Sequence, residues 1–249
     1  MMIEIDNIIE HLEKFAPLEL AQSWDNSGWQ INLGNKYTKK ILLCLSLTPK
    51  IFTQAIENGC DLIVSHHPLI FSPVKNIEYN TITQKLLVDC IRNNIQVYCA
   101  HTNLDSTEGG VNDVLCEKLG LTPIETIQNF VKIAQLPEKM SLDSFILKLK
   151  ISLNASKIKI INPNNIQEIS RIALCAGSGG DFINAIDNVD LFITGDIKYH
   201  TALEVQNMIV IDAGHFETEK IILQTLKNLL QEVSTDIIIA KEVEPWTIV

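Results

Sequence analysis

The segment DLIVSHH (residues 61–67) indicates how the chain folds and where its chemistry lies. Its apolar and small residues, Leu62 to Ser65, have the length and type of a buried strand, and two histidines follow directly. In open α/β sheets, sites form beyond the carboxyl ends of the strands. The segment therefore predicts a strand that delivers His66 and His67 to a site.

Helix and strand patterns alternate on both sides of this segment. Helices are predicted at 6–15, 49–58, 83–93 and 111–119, and strands at 40–47, 61–65 and 96–100. Asp6 is the predicted N-cap of the first helix, and Gly59 and Gly120 are predicted to end the second and the fourth. This succession favours a largely parallel, covered sheet, so the predicted fold class is α/β.

The second half of the chain repeats the first in the same order. KILLC (40–44) is echoed by RIALC (171–175), QAIEN (54–58) by NAIDN (184–188) and DLIVS (61–65) by DLFIT (190–194). Several echoes in one order indicate an internal duplication. We predict two related α/β lobes, residues 1–125 and 126–249, with a metal site in the cleft between them.

Four of the six histidines lie with two acids in three short clusters that each follow a β-forming run. The second and third clusters share the spacing His-x-x-x-acid and correspond to each other in the repeat. Imidazole and carboxylate groups are common ligands of transition metals. The predicted metal ligands are His66, His67, His101, Asp105, His215 and Glu219.

Two ions suit these residues better than one. Neighbouring residues on a strand point to opposite faces, so His66 and His67 favour separate ions. Asp105 or Glu219 could bridge ions about 3.5–4 Å apart, the separation typical of two-metal hydrolytic sites. The sequence thus predicts two divalent ions per chain, zinc, iron or manganese, with a metal-activated water as the nucleophile.

Three further features each allow two interpretations. His200 could transfer protons at the site, or it could simply begin a surface helix. GSGG (177–180) could bind an anion through backbone N–H groups, although a plain strand-to-helix turn is favoured. WDNSG (24–28) is interpreted as an ordinary loop unless the fold brings it near the metals.

Composition disfavours several functional classes. A net charge of -10 and a pI of about 5.0 make binding to nucleic acid or anionic membranes unfavourable. No apolar run approaches the ~20 residues of a membrane helix, and no basic-then-apolar leader begins the chain, so a cytoplasmic location is expected. The six cysteines form no C-x-x-C pair and are expected to be reduced core thiols.

Together these motifs resemble the NIF-three-like family of dinuclear-metal-centre proteins, also called type 2 GTP cyclohydrolase I homologues. The resemblance spans nearly the whole chain. The matching segments are WDNSG (24–28), HHP (66–68), HTNLD (101–105), GSGG (177–180), TGD (194–196) and GHFETE (214–219). The resemblance implies two metal ions between two lobes, held by the six residues named above, and a toroidal homohexamer built as a trimer of dimers.

The resemblance also implies a function. Its sharpest form is a metal-dependent hydrolase that opens the imidazole ring of GTP and releases formate, with a nucleotide as substrate. Hydrolysis of phosphate esters is an alternative, since a two-metal cavity suits it equally well. A second alternative is a non-catalytic, metal-stabilised ring that serves as an interaction scaffold, because structural metal sites need no open coordination position.

Overall fold

Helices and strands alternate along the chain in the computed structural model, which describes residues 2–234 and 236–246. The predicted α/β class is confirmed. The helices are α1 (Ile5–Phe15), α2 (Pro49–Asn58), α3 (Ile82–Arg92), α4 (Thr102–Ser106), α5 (Val111–Lys118), α6 (Leu142–Leu153), α7 (Tyr199–Glu204), α8 (His215–Glu219) and α9 (Ile222–Leu230). Short 3-10 helices lie at Leu18–Leu20 and Gly180–Ala185.

The strands pair into three sheets within the described residues. They are β1 (Ile3–Glu4), β2 (Gly28–Ile31), β3 (Tyr37–Thr38), β4 (Ile41–Cys44), β5 (Leu62–Ser65), β6 (Gln96–Cys99), β7 (Pro123–Ile127), β8 (Val131–Ser141), β9 (Lys159–Ile161), β10 (Glu168–Leu174), β11 (Leu191–Thr194), β12 (Ile209–Asp212) and β13 (Ile237–Ile239). The small sheet is the antiparallel pair of β1 and β3.

The chain divides into two compact units. The first comprises the described residues of Met1–Thr107 and Leu223–Val249, and the second is Glu108–Ile222. The predicted boundary after residue 125 falls within β7, which pairs with β8 in the sheet of the second unit. At the other end, β13 returns to pair with β4 in the sheet of the first unit. Strand pairing therefore groups segments that are distant in the sequence.

The sheet of the first unit has the order β13-β4-β5-β6-β2. β13, β4, β5 and β6 are parallel, and β2 is an antiparallel edge strand. Every residue of β4, β5 and β6 is buried, because helices cover a parallel sheet on both faces and its strands become continuous apolar runs. This packing fixes the strand ends from which the first candidate residues extend.

Local signals account for α2 but not for the start of α1. Thr48 caps α2 by accepting a hydrogen bond from the N–H of Ile51, and Gly59 ends the helix at a left-handed φ of 68°, as predicted. The prediction of Asp6 as the N-cap of α1 is wrong, since Glu4 occupies that position and Asp6 lies in the first turn. Pairing of β1 with β3 sets this boundary instead.

The second unit has a sheet of order β7-β8-β10-β11-β12-β9. β10, β11 and β12 are parallel, and β9 pairs antiparallel with β12. In the first unit, β4, β5 and β6 are likewise parallel and in chain order, with an antiparallel strand beside the third. This shared arrangement supports the predicted duplication.

Two predictions from composition can be compared with the described residues. The six cysteines are buried thiols, as expected. Among the helices of residues 2–234 and 236–246, none has the length and apolar character needed to span a bilayer.

Candidate metal centre

The His66-His67 pair extends strand β5 at its carboxyl end. The backbone N–H groups of His66 and His67 donate to the carbonyls of Cys44 at 3.0 Å and Leu45 at 2.7 Å. Pairing with β4 thus continues past the formal end of β5 and fixes both backbones. The side chain of His66 is buried and that of His67 is half-buried.

Both rings of this pair are held through Nδ1. His66 Nδ1 lies 2.8 Å from the carbonyl oxygen of Ala100, which can only accept, so the proton is on Nδ1 and the lone pair is on Nε2. His67 Nδ1 lies 2.7 Å from Oγ of Ser46. Such contacts set the tautomer and orientation of metal-binding histidines.

His101 and Asp105 lie on one helical turn that follows β6. His101 occupies the N-cap position of α4, and the N–H of Asp105 donates to its carbonyl at 3.0 Å. One turn of helix places residues i and i+4 on the same face. Oδ1 of Asp105 lies 3.6 Å from Nε2 of His66, so this turn adds an imidazole and a carboxylate to the pair.

The first unit therefore gathers three imidazoles at one place. Ring centroids are 4.9 Å apart for His66 and His67, 5.2 Å for His66 and His101, and 5.6 Å for His67 and His101. Potential ligand atoms of the three side chains lie within 4.8 Å of one another. Neutral imidazoles grouped in this way fit zinc, iron or another transition metal, whereas calcium and magnesium prefer oxygen ligands.

Asp25 contacts the histidine cluster, although sequence reasoning did not single it out as a site residue. Its fully buried side chain accepts from Nδ1 of His101 at 2.8 Å and from Oγ of Ser27 at 2.7 Å. It also accepts from the N–H and Oγ1 of Thr102 at 3.1 and 2.6 Å. The fold thus brings the loop at 24–28 to the predicted metal ligand His101. The interpretation of this segment as an ordinary loop therefore does not hold.

The charge of Asp25 is maintained by these partners. Burial by itself raises the pKa of this carboxyl, but the hydrogen bonds from His101, Thr102 and Ser27 outweigh burial and hold the pKa well below its usual range. An ionised Asp25 keeps the His101 proton on Nδ1, so Nε2 carries the lone pair for a ligand.

The second unit holds His215 and Glu219 on α8, the turn that follows β12. His215 Nε2 and Glu219 Oε2 are 2.9 Å apart, and His215 Nδ1 lies 2.7 Å from Oδ2 of Asp196. Burial lowers the pKa of His215, but its hydrogen bonds to Glu219 and Asp196 raise it to about 9. Asp196 is thus the counterpart of Asp25, a carboxylate that orients a histidine through Nδ1.

Glycines of the GSGG segment provide room for this pair. A Cβ on Gly177, whose φ is +64°, would collide with Oε1 of Glu219. The N–H of Gly177 donates to Oγ1 of Thr218 at 3.0 Å, and that of Gly179 donates to Oγ1 of Thr194 at 2.8 Å. Because two of its N–H groups already have hydroxyl acceptors, the segment fits the favoured turn interpretation rather than an anion site.

Among the described residues, no hydrogen bond or ion pair joins His200 to these groups. It is exposed near the start of α7, with its ring centroid 5.5 Å from that of Tyr199. This position suits a surface helix start, and the role of His200 in proton transfer stays a prediction.

The structure assembles His66, His67, His101 and Asp105 within the first unit and His215 with Glu219 within the second.

Fold and side-chain geometry together define an α/β protein with candidate metal-binding histidines and acids at the carboxyl ends of parallel strands. The model of the family Duf34/NIF3 (NGG1p interacting factor 3) matches residues 3–245, and the chain belongs to this family. The resemblance predicted from the motifs is therefore confirmed.

Individual relatives match this chain over nearly their whole length. A Clostridium perfringens protein named GTP cyclohydrolase 1 type 2 homolog is 31% identical over an alignment of 255 positions, which covers 96% of this chain and 97% of that protein. A Campylobacter jejuni protein of the same name is 32% identical over 246 residues, 98% and 99% of the two chains. The crystal structure of a Bacillus cereus protein related to NIF3 has a TM-score of 0.89 at 23% identity and covers 99% of both chains, which supports the fold.

Proposed function

We propose that this protein is a metal-dependent hydrolase that holds two divalent ions, zinc, iron or manganese. The proposed ligands are His66, His67, His101, Asp105, His215 and Glu219. The observation that supports the proposal best is a shared hydrogen-bonding pattern: each of the four histidines is held through Nδ1. This pattern leaves Nε2 of His66, His67 and His101 as the coordinating atom. Nε2 of His215 lies 2.9 Å from Oε2 of Glu219, so an ion bound there would replace the proton that these two groups share.

The partners at Nδ1 differ in strength, and the difference is informative. His101 and His215 are oriented by the carboxylates of Asp25 and Asp196, whereas His66 is oriented by a carbonyl. A carboxylate at Nδ1 makes the imidazole a stronger ligand and fixes its direction. The two His-x-x-x-acid turns therefore have the support expected of metal ligands rather than of packing residues.

The donor set also fits the chemistry. Imidazoles with two carboxylates suit transition ions, and such ions activate water as a nucleophile near neutral pH. The residues of the chain would bind and orient the ions. The histidines are fixed through Nδ1, and Gly177 leaves space for the Glu219 carboxylate. Asp105 and Glu219 supply negative charge that offsets part of the charge of two divalent cations.

The proposed reaction is opening of the imidazole ring of GTP with release of formate. Support for this substrate comes from the relatives named GTP cyclohydrolase 1 type 2 homolog, at 31% and 32% identity. The donor set itself supports hydrolysis in general, so the class of reaction and the substrate need separate measurements.

The test compares metal content and activity in the same samples. Wild type, His67→Ala and Glu219→Ala are purified, their metal content is measured by mass spectrometry, and each is assayed for formate release from GTP and for phosphate release from esters. We expect about two ions per chain in wild type, fewer in both variants, and formate only from wild type. The control is Glu204→Gln, which alters an exposed residue on α7 and should retain the metal.

Other outcomes contradict distinct parts of the proposal. Full metal content in both ligand variants would contradict the ligand set. Metal in wild type without release of formate or phosphate would favour the scaffold alternative. Anomalous diffraction from crystals grown with zinc would decide whether all six side chains meet at one pair of ions. The homohexamer implied by the resemblance is also proposed, and sedimentation velocity would test it.

A further inference from the structure

Two exposed aromatic side chains lie beside the histidine cluster of the first unit. Trp24 is 59% exposed and Phe71 is 60% exposed. Their ring centroids are 6.1 Å apart with planes tilted by 55°, and the Trp24 ring also meets that of His101 nearly edge-on at 6.3 Å. An aromatic pair thus leads from the surface to a proposed metal ligand.

The backbone on both sides of these rings is fixed by hydrogen bonds. Asp25, next to Trp24, is held by His101, Ser27 and Thr102. Asn26 Nδ2 donates to the carbonyl of Ile70 at 2.6 Å, and the N–H of Ile70 donates to Oε1 of Gln30 at 2.9 Å. These bonds connect the loop at 24–28 and strand β2 to Ile70, the residue that precedes Phe71.

The exposure of two adjacent aromatic rings calls for a physical explanation. Contact of large apolar rings with water is unfavourable, and neither Trp24 nor Phe71 fills the core. Aromatic faces attract other planar π-systems, and such pairs form with centroids 4.5–7 Å apart. Every nucleobase has such a face, whereas a sugar phosphate or an aliphatic ester has none.

We propose that Trp24 and Phe71 form a stacking platform for a planar heteroaromatic group of the substrate, such as a purine. The inference rests on the proposed metal-dependent function and deepens it, because it favours a nucleotide over a non-aromatic phosphate ester. Since the Trp24 ring contacts His101, a base stacked on Trp24 lies beside the proposed metal ligands. Trp24 and Phe71 then act as binding residues, and the chemistry belongs to the metal ligands.

Binding measurements test the platform without any need for turnover. Guanosine 5′-monophosphate and ribose 5-phosphate are titrated into wild type, Trp24→Ala, Trp24→Phe and Phe71→Ala, with quenching of tryptophan fluorescence and calorimetry as readouts. We expect Trp24→Ala to weaken binding of the nucleotide about tenfold, Trp24→Phe to retain most of it and Phe71→Ala to weaken it less. Binding of ribose 5-phosphate should be the same in all four proteins.

Trp246→Ala is the matched control, since Trp246 is a tryptophan of the same unit with a similar exposure of 57%. It should bind the nucleotide as wild type does. Equal nucleotide binding by wild type and Trp24→Ala, or none by wild type, would overturn the platform. A change in oligomeric state of Trp24→Ala with nucleotide binding unaltered would also overturn it, because the pair would then be a subunit contact.

Metal content separates this inference from the proposed function. Trp24→Ala should contain as much metal as wild type, because Trp24 supplies no ligand atom. If wild type binds no metal but the nucleotide still stacks on Trp24, the platform stands and the metal-dependent function fails. If metal and activity are present but Trp24→Ala binds and turns over GTP as wild type does, the function stands and the platform fails.

Discussion

Oδ1 of Asp25 lies 2.8 Å from Nδ1 of His101, although the two residues are 76 positions apart in the chain. The contact fixes one imidazole of the candidate metal centre from a loop that precedes β2. Asp196 has the same relationship to His215 in the second unit, at 2.7 Å. Substitution of either carboxylate therefore tests directly whether the orientation of its histidine matters for metal binding.

Asp25→Asn should weaken metal binding about 10–100-fold, because loss of a carboxylate behind a ligand histidine has an effect of that size. The amide also presents an NH2 group where the carboxylate accepts several hydrogen bonds. Competition with a chromogenic chelator measures the affinity. Asp187→Asn, an exposed position of the second unit, is the control. An unchanged affinity in Asp25→Asn would show that His101 needs no such support.

Much of the fold could be predicted from the sequence because the deciding signals are local. Helix α2 matches its predicted bounds of 49–58, since Pro49 and Gly59 mark its ends. Strand β5 differs from its prediction by one residue at the start. The six candidate ligands could be predicted for the same reason, because each of their three clusters follows a short β-forming run.

Features that depend on tertiary pairing could not be predicted. Asp25 and Asp196 orient histidines that are distant in the sequence, and no pattern within either loop encodes its partner. The GSGG segment at 177–180 favoured a turn, but the main constraint on Gly177 is its close approach to the Glu219 carboxylate. Pairing of β13 with β4 likewise joins segments almost 200 residues apart.

Gly177→Ala should destabilise the protein and disturb the site. An alanine at a φ of +64° costs about 1–2 kcal/mol in backbone strain, and its Cβ would also collide with the Glu219 carboxylate. Gly34→Ala is a matched control, since its φ is +74° with nothing within 4 Å of the added Cβ. Urea unfolding and metal content are measured for both. Equal losses in the two variants would mean that the contact with Glu219 has no importance.

The buried thiols should be unreactive in the folded protein. Burial raises the pKa of Cys90 and of Cys116 to about 12, whereas an ordinary thiol titrates near 8.5. The thiolate is the reactive form, so at pH 8 Ellman's reagent should react very slowly with the native protein. After unfolding in guanidinium chloride, it should react with all six cysteines. The native rate should increase as the pH is raised toward 11. Rapid labelling of the folded protein at pH 8 would contradict the described burial.

Thr194→Val should destabilise the second unit by about 1–3 kcal/mol, the usual effect of leaving a buried donor unsatisfied. Thr194 Oγ1 accepts from the N–H of Gly179 at 2.8 Å and donates to the carbonyl of Gly177 at 3.3 Å, and valine has the same shape without the hydroxyl. Thr194→Ser keeps the hydroxyl and should recover most of the stability, as measured by urea unfolding. Because Gly177 lies against Glu219, Thr194→Val should also reduce metal content, whereas Thr194→Ser should not. Equal stability of Thr194→Val and wild type would show that these hydrogen bonds do not hold the turn.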